Sequence, residues 1–317
     1  MPRRSHTTAL LCSLGVYLTG AAAAQDRAPI AQSPITPVPA ADGLPAVDRG
    51  PSPLETLTGE RVAGAGRGKP RDEIETDRDS FTPATTTAGV RRLIVEAAYS
   101  FVDNRGIKET HSVPELILRY GLTDRIELRL GWNYEVGGVG NSTTGADATA
   151  EDPTAERASI LREYTLAYGA KVRLTDQDRW VPQTAVILQG FTPTGGSAGT
   201  SPATQLIATG IVGWELPRRW KLDAAVRYGT ASEEGDHFSV WAPSAVLRVP
   251  FGERWAAHAE YFGLSSTRRE RNITKHFFSP GLHYLVTPDL EVGVRVGWGL
   301  NDQSARFFSN AGIGWRY

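Results

Sequence analysis

From about residue 89 onward the chain alternates apolar and polar residues in segments of about ten, and turn residues separate these segments. A period of two places successive side chains of a strand on opposite faces of a sheet. In one segment, Ile126 and Leu128 therefore share a face, and Glu127 and Arg129 lie on the other. The pattern predicts strands with one apolar face and one charged face, which is typical of a transmembrane β-barrel.

The connections between the predicted strands have two lengths. Those after the even-numbered strands are tight, such as Leu122–Asp124 and Pro217–Arg219, whereas several others are long, notably 137–158 and 192–202. Short turns on one side and longer loops on the other are typical of outer-membrane barrels, with the short side in the periplasm. We predict an all-β fold, a single antiparallel transmembrane β-barrel of about 12 strands, at residues 91–103, 110–121, 125–136, 159–174, 182–192, 203–216, 220–230, 237–250, 254–266, 274–286, 289–300 and 305–317.

The tryptophans distinguish this barrel from a soluble β-sandwich, in which apolar and polar residues also alternate. A sandwich buries tryptophan in the middle of its strands, whereas a membrane barrel places the indole at the two headgroup levels. All eight tryptophans lie near predicted strand ends, on the short-turn side (Trp180, Trp214, Trp220, Trp255, Trp315) or on the loop side (Trp132, Trp241, Trp298). Their positions favour the barrel.

The first residues have the features of an export signal. Arg3 and Arg4 supply a positive region, residues 9–18 an apolar stretch, and Ala21–Ala24 a small-residue cleavage site. A short membrane anchor is the alternative, but the apolar stretch is too short to span a bilayer comfortably. We expect a signal peptide over 1–24, a disordered Pro-, Ala- and Gly-rich periplasmic lead over 25–82 and the outer-membrane barrel over 83–317.

The charge balance and the last residues add two constraints. The chain has 34 Lys+Arg against 35 Asp+Glu, and this balance argues against the basic surface that a nucleic-acid partner requires. The chain ends with Ile313, Trp315 and Tyr317, an alternating apolar strand with a terminal aromatic residue. Such an ending is typical of the signal that the barrel assembly machinery reads, so we expect that machinery as a partner.

The segment before the first strand resembles a known family. Residues Ile74–Thr82, IETDRDSFT, resemble the entry motif of the transporter-like barrels called the MetA-pathway of phenol degradation family, and Thr110–Arg129 looks like that family's first hairpins. Asp79 departs from the family pattern, which has proline after the arginine. The resemblance implies an outer-membrane channel or transporter that admits aromatic or other poorly soluble compounds.

The face assignment turns many ionisable groups toward the barrel interior. Facing lipid, such charges would cost about 2–4 kcal/mol each near the midplane, so a polar lumen is required. In one interpretation they line a water path and orient a polar solute; in the other they pair across neighbouring strands and fill a narrow barrel. The lumen-lining candidates are Glu115, Arg119, Glu127, Arg129, Glu163, Lys171, Arg173, Lys221, Asp223, Arg227, Arg248, His258, Glu260, His283, Glu291 and Arg295.

Glu75, Asp77 and Arg78 precede the first strand, so they lie in the periplasm or fold into the barrel mouth. One hypothesis is that Asp77 and Arg78 dock inside the lumen as a plug or latch. The other is that they satisfy the periplasmic rim of the barrel. The sequence leaves both open.

The histidines provide no catalytic or metal site by their spacing. None lies in a serine or cysteine nucleophile motif, and no two have metal-ligand spacing. His258 can meet Ser279 or His283 across the ninth–tenth strand pairing, depending on the register. We expect no enzyme activity, no catalytic residue, no cofactor and no metal.

The leading hypothesis is an outer-membrane channel that passively admits a small solute, aromatic or poorly soluble. The alternatives are a structural or plugged envelope barrel without transport, and an outer-membrane lipid-modifying enzyme. The expected partners are outer-membrane lipid, the solute and lipopolysaccharide. Arg268, Arg269, Arg271 and Lys275 form a basic loop predicted to face outward. The loop either contacts the phosphates of lipopolysaccharide or is charged for solubility, and we favour the second interpretation.

Overall fold

The computed structural model describes residues 72–106, 108–137, 161–196, 204–233, 236–267 and 272–317. Twelve strands in these ranges form one closed barrel, in which each strand pairs with its neighbours along the chain and the first pairs with the last in antiparallel fashion. The strands are β1 (Leu93–Asp103), β2 (Thr110–Gly121), β3 (Ile126–Gly137), β4 (Leu161–Thr175), β5 (Gln183–Gly196), β6 (Gln205–Glu215), β7 (Lys221–Glu233), β8 (Asp236–Phe251), β9 (Trp255–Thr267), β10 (Thr274–Thr287), β11 (Leu290–Gly299) and β12 (Phe307–Arg316).

The predicted barrel and its strand number are confirmed. A 3₁₀ turn, Pro217–Arg219, connects β6 and β7. No helix among the described residues is long and apolar enough to cross a membrane. The predicted signal peptide, residues 25–71 of the lead and the loop residues Arg268, Arg269 and Arg271 lie outside the described part of the chain.

The two faces of the sheet differ as the alternation predicts. In β3, Leu128 and Leu130 are 46% and 45% exposed, whereas Glu127 and Arg129 are 0% and 6% exposed. A closed antiparallel sheet pairs its backbone groups within the protein, and an apolar outer face is what the hydrocarbon region of a bilayer accepts. The outer face includes Leu118, Leu188, Leu206, Val226, Leu282, Val294 and Ile313, all exposed.

Aromatic residues lie at the strand ends, at the levels where headgroups meet the barrel. Trp255 opens β9, and Trp298 and Trp315 are the last residues but one of β11 and β12. Trp255 stacks obliquely on Tyr284 with ring centroids 4.6 Å apart, and Trp315 on Tyr317 at 4.2 Å. These amphipathic rings anchor the barrel at the membrane interfaces.

One residue of the predicted basic loop lies elsewhere. Lys275 was expected to face outward with the loop arginines, but β10 begins at Thr274 and Lys275 is 2% exposed. The inward face of β10 starts with Lys275 and continues through Phe277 and Ser279, which are also buried. The expectation was wrong because the lysine, although it lies within the predicted strand 274–286, was grouped with the loop, and its position in the pleat turns it inward.

The outward face generates a prediction on stability. Leu130 lies in the middle part of β3, between Leu118 and Tyr168 of the flanking strands. Leu130→Arg places a charge against lipid and should lower the free energy of unfolding by about 2–4 kcal/mol, measured by urea titration in phospholipid vesicles. Leu122→Arg, in the turn after β2, should lower it by only about 0–1 kcal/mol. Equal losses would contradict a membrane-facing outer surface.

Candidate functional site

The segment that precedes β1 enters the barrel and returns to the end at which it entered. We call Asp72–Arg92 the lumen loop. On its way in, the Ile74 amide donates to the Pro288 carbonyl at 2.8 Å, and on its way out the Thr87 hydroxyl donates to the Asp124 carbonyl at 2.8 Å. Pro288 and Asp124 belong to short turns, so the loop enters through the predicted periplasmic end. At its neck, Arg92 Nη1 lies 2.5 Å from Asp72 Oδ1.

Three carboxylates of the barrel wall bind the backbone of the lumen loop. Glu96 and Glu260 each accept two backbone N–H groups, and Glu127 accepts one, at distances of 2.7–2.9 Å. The donors are the amides of Asp77 and Arg78 for Glu96, of Phe81 and Thr82 for Glu260, and of Ala88 for Glu127. Charge-assisted bonds of this kind are stronger than neutral ones and satisfy the backbone of a buried loop.

Asp77 lies in a cationic pocket formed by β2, β3 and β4. Its Oδ2 accepts hydrogen bonds from Arg129 Nη1 at 2.6 Å and Lys171 Nζ at 2.8 Å, and Arg119 Nε lies 3.7 Å away. Burial would raise the pKa of Asp77, but Arg119, Lys171 and Arg129 outweigh burial and hold that pKa well below its usual range. The carboxylate therefore stays charged and binds the loop to three strands of the wall.

Glu75 and Asp79 extend this network to the opposite wall. Glu75 contacts Lys221 Nζ at 3.0 Å and Arg248 Nη1 at 3.1 Å, while Asp79 contacts Arg248 Nη2 at 3.3 Å and His283 Nδ1 at 2.6 Å. Burial opposes ionisation of Glu75, but Lys221 and Arg248 lower its pKa from 4.5 to about 2. Burial likewise opposes ionisation of Asp79, and His283 and Arg248 lower its pKa as well.

The tip of the loop packs against an aromatic layer that was not predicted. The ring of Phe81 stacks on Phe262 with centroids 4.4 Å apart and an interplanar angle of 9°, and the Arg227 guanidinium lies 4.1 Å from the Phe81 centroid. Phe277 and Phe308 continue the layer, with centroids 4.8 and 5.9 Å from that of Phe262. The lumen is thus ionic around the stem of the loop and apolar around its tip.

A sequence signal for this layer exists in the paired phenylalanines. In Phe277–Phe278 and in Phe307–Phe308, the alternation of a strand must turn one ring inward and the other outward. Phe277 is 2% exposed and Phe278 is 42% exposed. We predicted a polar lumen and did not include these inward rings.

The other lumen-lining candidates face the interior in the described strands. Glu115, Asp223, Arg227, His258, Glu291 and Arg295 are buried, while Arg173 of β4 is partly buried and contacts Asp176 at 3.7 Å. Glu163 belongs to β4, but its side chain lies outside the described part. Charges pair across the wall, as in Arg119–Glu127 at 3.1 Å and Arg295–Glu260 at 2.9 Å, and also with the lumen loop, a partner that strand pairing alone does not suggest.

Asp77 and Arg78, for which the sequence left a place in the lumen or at the rim open, both lie inside the lumen. Arg78 is buried in the lumen, where it contacts Glu115 Oε2 at 3.4 Å and donates to the Leu116 carbonyl at 2.7 Å. The rim contacts are made instead by Asp72, bound to Arg316, and by Glu73, bound to Arg219. Ile313 and Trp315 of β12 are exposed, and so is Tyr317, which follows the strand.

One small cavity lies between the loop and the wall at mid-depth. Its volume is about 10 Å³, which is room for one water molecule and not for a solute. It is lined by Asp77, Arg78, Pro83, Ile117, Arg129, Ile187, Gln189, Thr209 and Arg227.

The register of β9 and β10 decides the partner of His258. His258 pairs with Gly281, and its Nδ1 lies 2.5 Å from His283 Nε2, whereas Ser279 pairs with Glu260. His283 in turn meets Asp79 and Glu291, and one ligand atom from each of these three residues lies within 4.8 Å of the others. This set of possible metal ligands could not be predicted from the sequence, because the three residues come from the loop and two strands and their spacing along the chain is irregular.

A closed antiparallel barrel with an apolar outer face and a charged lumen, occupied by its own N-terminal segment, defines a bacterial outer-membrane β-barrel. The chain belongs to the family described as "Putative MetA-pathway of phenol degradation", whose model matches residues 76–317. The match begins inside the lumen loop and covers the whole barrel, so the family resemblance of the entry motif is confirmed.

Solved structures with a similar fold are outer-membrane barrels. An outer membrane channel from Pseudomonas putida F1 is 13% identical, with 77% of this chain and 100% of that chain covered and a TM-score of 0.53. The translocator domain of the autotransporter NalP from Neisseria meningitidis is 10% identical, with coverages of 71% and 88% and a TM-score of 0.44. At these identities the likeness concerns the fold. No curated protein sequence matches the chain.

The Asp77 pocket generates a prediction on docking of the loop. Asp77→Asn removes the anion that three cations surround, and breaking a buried pair of this kind destabilises by about 3–5 kcal/mol. Trypsin should therefore cleave after Arg78 at least about 100-fold faster than in the unmodified protein, measured by mass spectrometry. The control is Glu73→Gln at the exposed rim, which should change the rate little. Equal rates in both variants would mean that Asp77 does not hold the loop.

The lowered pKa of Glu75 predicts acid release of the loop stem. A carboxylate with a lowered pKa stabilises the docked state above its ordinary pKa, and this contribution is lost as the pH falls from 4.5 to about 2. Deuterium protection of peptides covering residues 76–86, corrected for the pH dependence of intrinsic amide exchange, should therefore stay high at pH 5 and fall toward pH 2, with β6 peptides as the reference. Glu75→Gln should weaken docking at pH 5 and flatten this response. Complete release of the loop by pH 4.5 would contradict this role of Glu75.

Proposed function

We propose that the protein is an outer-membrane channel that passively admits small solutes, and that the lumen loop gates it. The observation that supports this most directly is the way the loop fills the lumen. It is held by ion pairs and by N–H bonds to wall carboxylates, with an exposed ion pair, Asp72–Arg92, at its neck. Membership in a family of outer-membrane barrels agrees with this assignment.

The contact between the lumen loop and the wall is ionic. This favours a loop that can leave the lumen over one that closes it permanently. Buried charges carry a desolvation penalty, and apolar residues of similar volume seal a cavity at least as well. Glu96, Arg119, Glu127 and Lys171 of the wall are each 0–1% exposed while the loop is docked. In a lumen filled with water the same charges would be solvated, so they suit a barrel that is hydrated when the loop is displaced.

The aromatic layer supports an aromatic solute. Phe81 occupies a slot between the Phe262 ring and the Arg227 guanidinium, at 4.4 and 4.1 Å. When the loop withdraws, the slot presents one π face and one cation, a combination that attracts an aromatic ring, and above all one with a carboxylate. The solute class we propose is therefore a small aromatic acid or a related aromatic compound.

A structural barrel without transport is the second candidate. It is favoured by the cavity of about 10 Å³ beside the docked loop, which leaves no room for a solute at that depth. The two candidates differ in whether the loop leaves the lumen.

A lipid-modifying enzyme has less support. Ser279, which the alternation allowed to approach His258, donates its hydroxyl to the Val296 carbonyl at 2.8 Å and faces Glu260 across the strand pair. His258 contacts His283 instead, so this serine and this histidine do not form a nucleophile and base.

Location and assembly complete the proposal. Residues 1–24 would act as a signal peptide, and residues 25–71 would form a disordered lead in the periplasm. The exposed Ile313, Trp315 and Tyr317 would present the last strand to the barrel assembly machinery. Outer-membrane lipid would contact the apolar face, and lipopolysaccharide the arginines between β9 and β10.

Conductance in planar bilayers tests the gate. We expect rare or small current steps from the full chain, frequent larger steps from Asp77→Asn, and the largest from a chain that lacks residues 25–82. The reason is that each change removes more of the contacts that hold the loop in the lumen. Silence from all three proteins, with each barrel shown to be folded by heat-modifiable migration, would reject the channel and favour the structural barrel.

The same bilayers test the solute class. Benzoate should reduce the current of Asp77→Asn more strongly than cyclohexanecarboxylate, which has a similar size and the same charge but no π face. Phe262→Ala in that background should abolish the difference, because it removes the ring on which the solute stacks. Equal block by both acids would leave the channel standing and reject the aromatic slot.

A further inference from the structure

The lumen loop meets β10 and β11 at three residues that can each offer one electron pair to a cation. They are Asp79 of the loop, His283 of β10 and Glu291 of β11, all buried, with ligand atoms within 4.8 Å of one another. His283 Nδ1 lies 2.6 Å from Asp79 Oδ2 and 3.7 Å from Glu291 Oε1. The three side chains converge near the periplasmic end, since Glu291 follows the short turn between β10 and β11.

The orientation of His283 shows that this cluster is more than an ion pair. Its Nε2 already faces His258 Nδ1 at 2.5 Å, so the ring is fixed from that side. Its Nδ1 points toward the two carboxylates but has no aligned hydrogen-bond partner, although the side chain is 2% exposed. A proton on Nδ1, shared with a carboxylate, would account for this arrangement, and so would a metal ion bound to Nδ1 and the two carboxylates.

Two inward glycines make room for the cluster. Gly293 lies opposite His283 in the β10–β11 register, and a Cβ there would lie 3.2 Å from His283 Nδ1 and 3.5 Å from Asp79 Cβ. Gly281 lies opposite His258, and a Cβ there would approach His258 Cε1 to 2.3 Å. The space that the His258 ring occupies is therefore available only because Gly281 lacks a side chain, and a side chain at Gly293 would press on His283.

Each of the three converging residues also has a further partner, and Thr76 and Arg248 contact the same carboxylate oxygens that face His283. Thr76 Oγ1 donates to Glu291 Oε1 at 2.7 Å, Arg248 Nη2 approaches Asp79 Oδ2 at 3.3 Å, and His258 fixes the ring of His283. Outer contacts of this kind orient metal ligands and set the histidine tautomer. The two carboxylates and the one guanidinium sum to a single negative charge, which favours uptake of a cation.

We propose that Asp79, His283 and Glu291 bind a divalent transition-metal ion, with Zn²⁺ as the best match, and that the ion fastens the lumen loop to β10 and β11. One imidazole and two carboxylates are ligands that zinc accepts, and at bond lengths of about 2.0–2.2 Å tetrahedral neighbours lie about 3.3–3.6 Å apart. The observed separations of 2.6 and 3.7 Å lie on either side of that range. The fourth position is open to water.

Zinc binding to the full chain, purified from outer membranes and stripped with a chelator, tests the proposal. Calorimetry should give one Zn²⁺ per chain, and Co²⁺ should give visible absorption bands of a site with nitrogen and oxygen ligands. Asp79→Ala should weaken binding by at least about 100-fold, since loss of a direct ligand exceeds the effect of an outer contact. Asp79 lies on the loop and outside the strands, so this variant leaves the barrel sequence intact.

His276→Ala is the matched control, because His276 belongs to β10 as well but contacts Tyr261 at 2.7 Å, away from the cluster. It should bind zinc as the unmodified protein does, and His283→Ala should not. No binding to the unmodified chain, or equal binding to Asp79→Ala, would overturn the proposal and leave the cluster as a hydrogen-bonded pair of His283 and Asp79. The binding assay needs no conductance, so failure of the channel proposal and failure of the metal site are separate results.

Discussion

The constraint on which the rest of the structure depends is that lipid offers no partner to a backbone N–H or C=O group. A sheet in a membrane must therefore close on itself, and here β1 completes the ring by pairing with β12 over ten residues, from Ile94–Arg316 to Asp103–Phe307. Closure creates an interior, and the pleat sends every second side chain into it. The charges that the outer face excludes collect in that interior, where they need water or each other. Here the lumen loop supplies a third kind of partner. Its backbone amides donate to carboxylates of the wall, and its own carboxylates pair with cations of the wall.

Local features of the sequence were sufficient to predict the barrel. Period-two alternation, turn lengths and the positions of aromatic residues are each set within one strand or one hairpin, so strand number and face assignment follow from them. The largest error in a strand end is instructive. β5 was expected to stop at residue 192, before a proline, but it continues to Gly196 because Pro193 lies at a register shift in the β4–β5 pair, where a missing N–H is tolerated.

The interior contacts could not be predicted, because they join residues far apart in the chain through a loop that has no period. Asp77 meets Arg129 at a separation of 52 residues and Lys171 at 94, and many inward cations of other strands were equally available on charge alone. The partner of His258 could not be predicted either, because the sequence allowed two partners and the strand register decides between them. The observed pairing with Gly281 brings His283 into reach and leaves Ser279 opposite Glu260. A shift of two residues would keep every face correct and still change the chemistry.

The lumen loop is held by two kinds of contact that respond to different agents. Its stem is ionic, with Glu75, Asp77 and Asp79 bound to cations of the wall, and such contacts weaken when a carboxylate takes up a proton. Its tip is aromatic, with Phe81 on Phe262, and such a contact yields to a competing ring. Only Ser80 separates Asp79 from Phe81, so a shift at the tip must pull on the stem. If the loop gates the barrel as proposed, a solute that displaces the Phe81 ring acts on the same segment whose ionic contacts lie toward the periplasmic end.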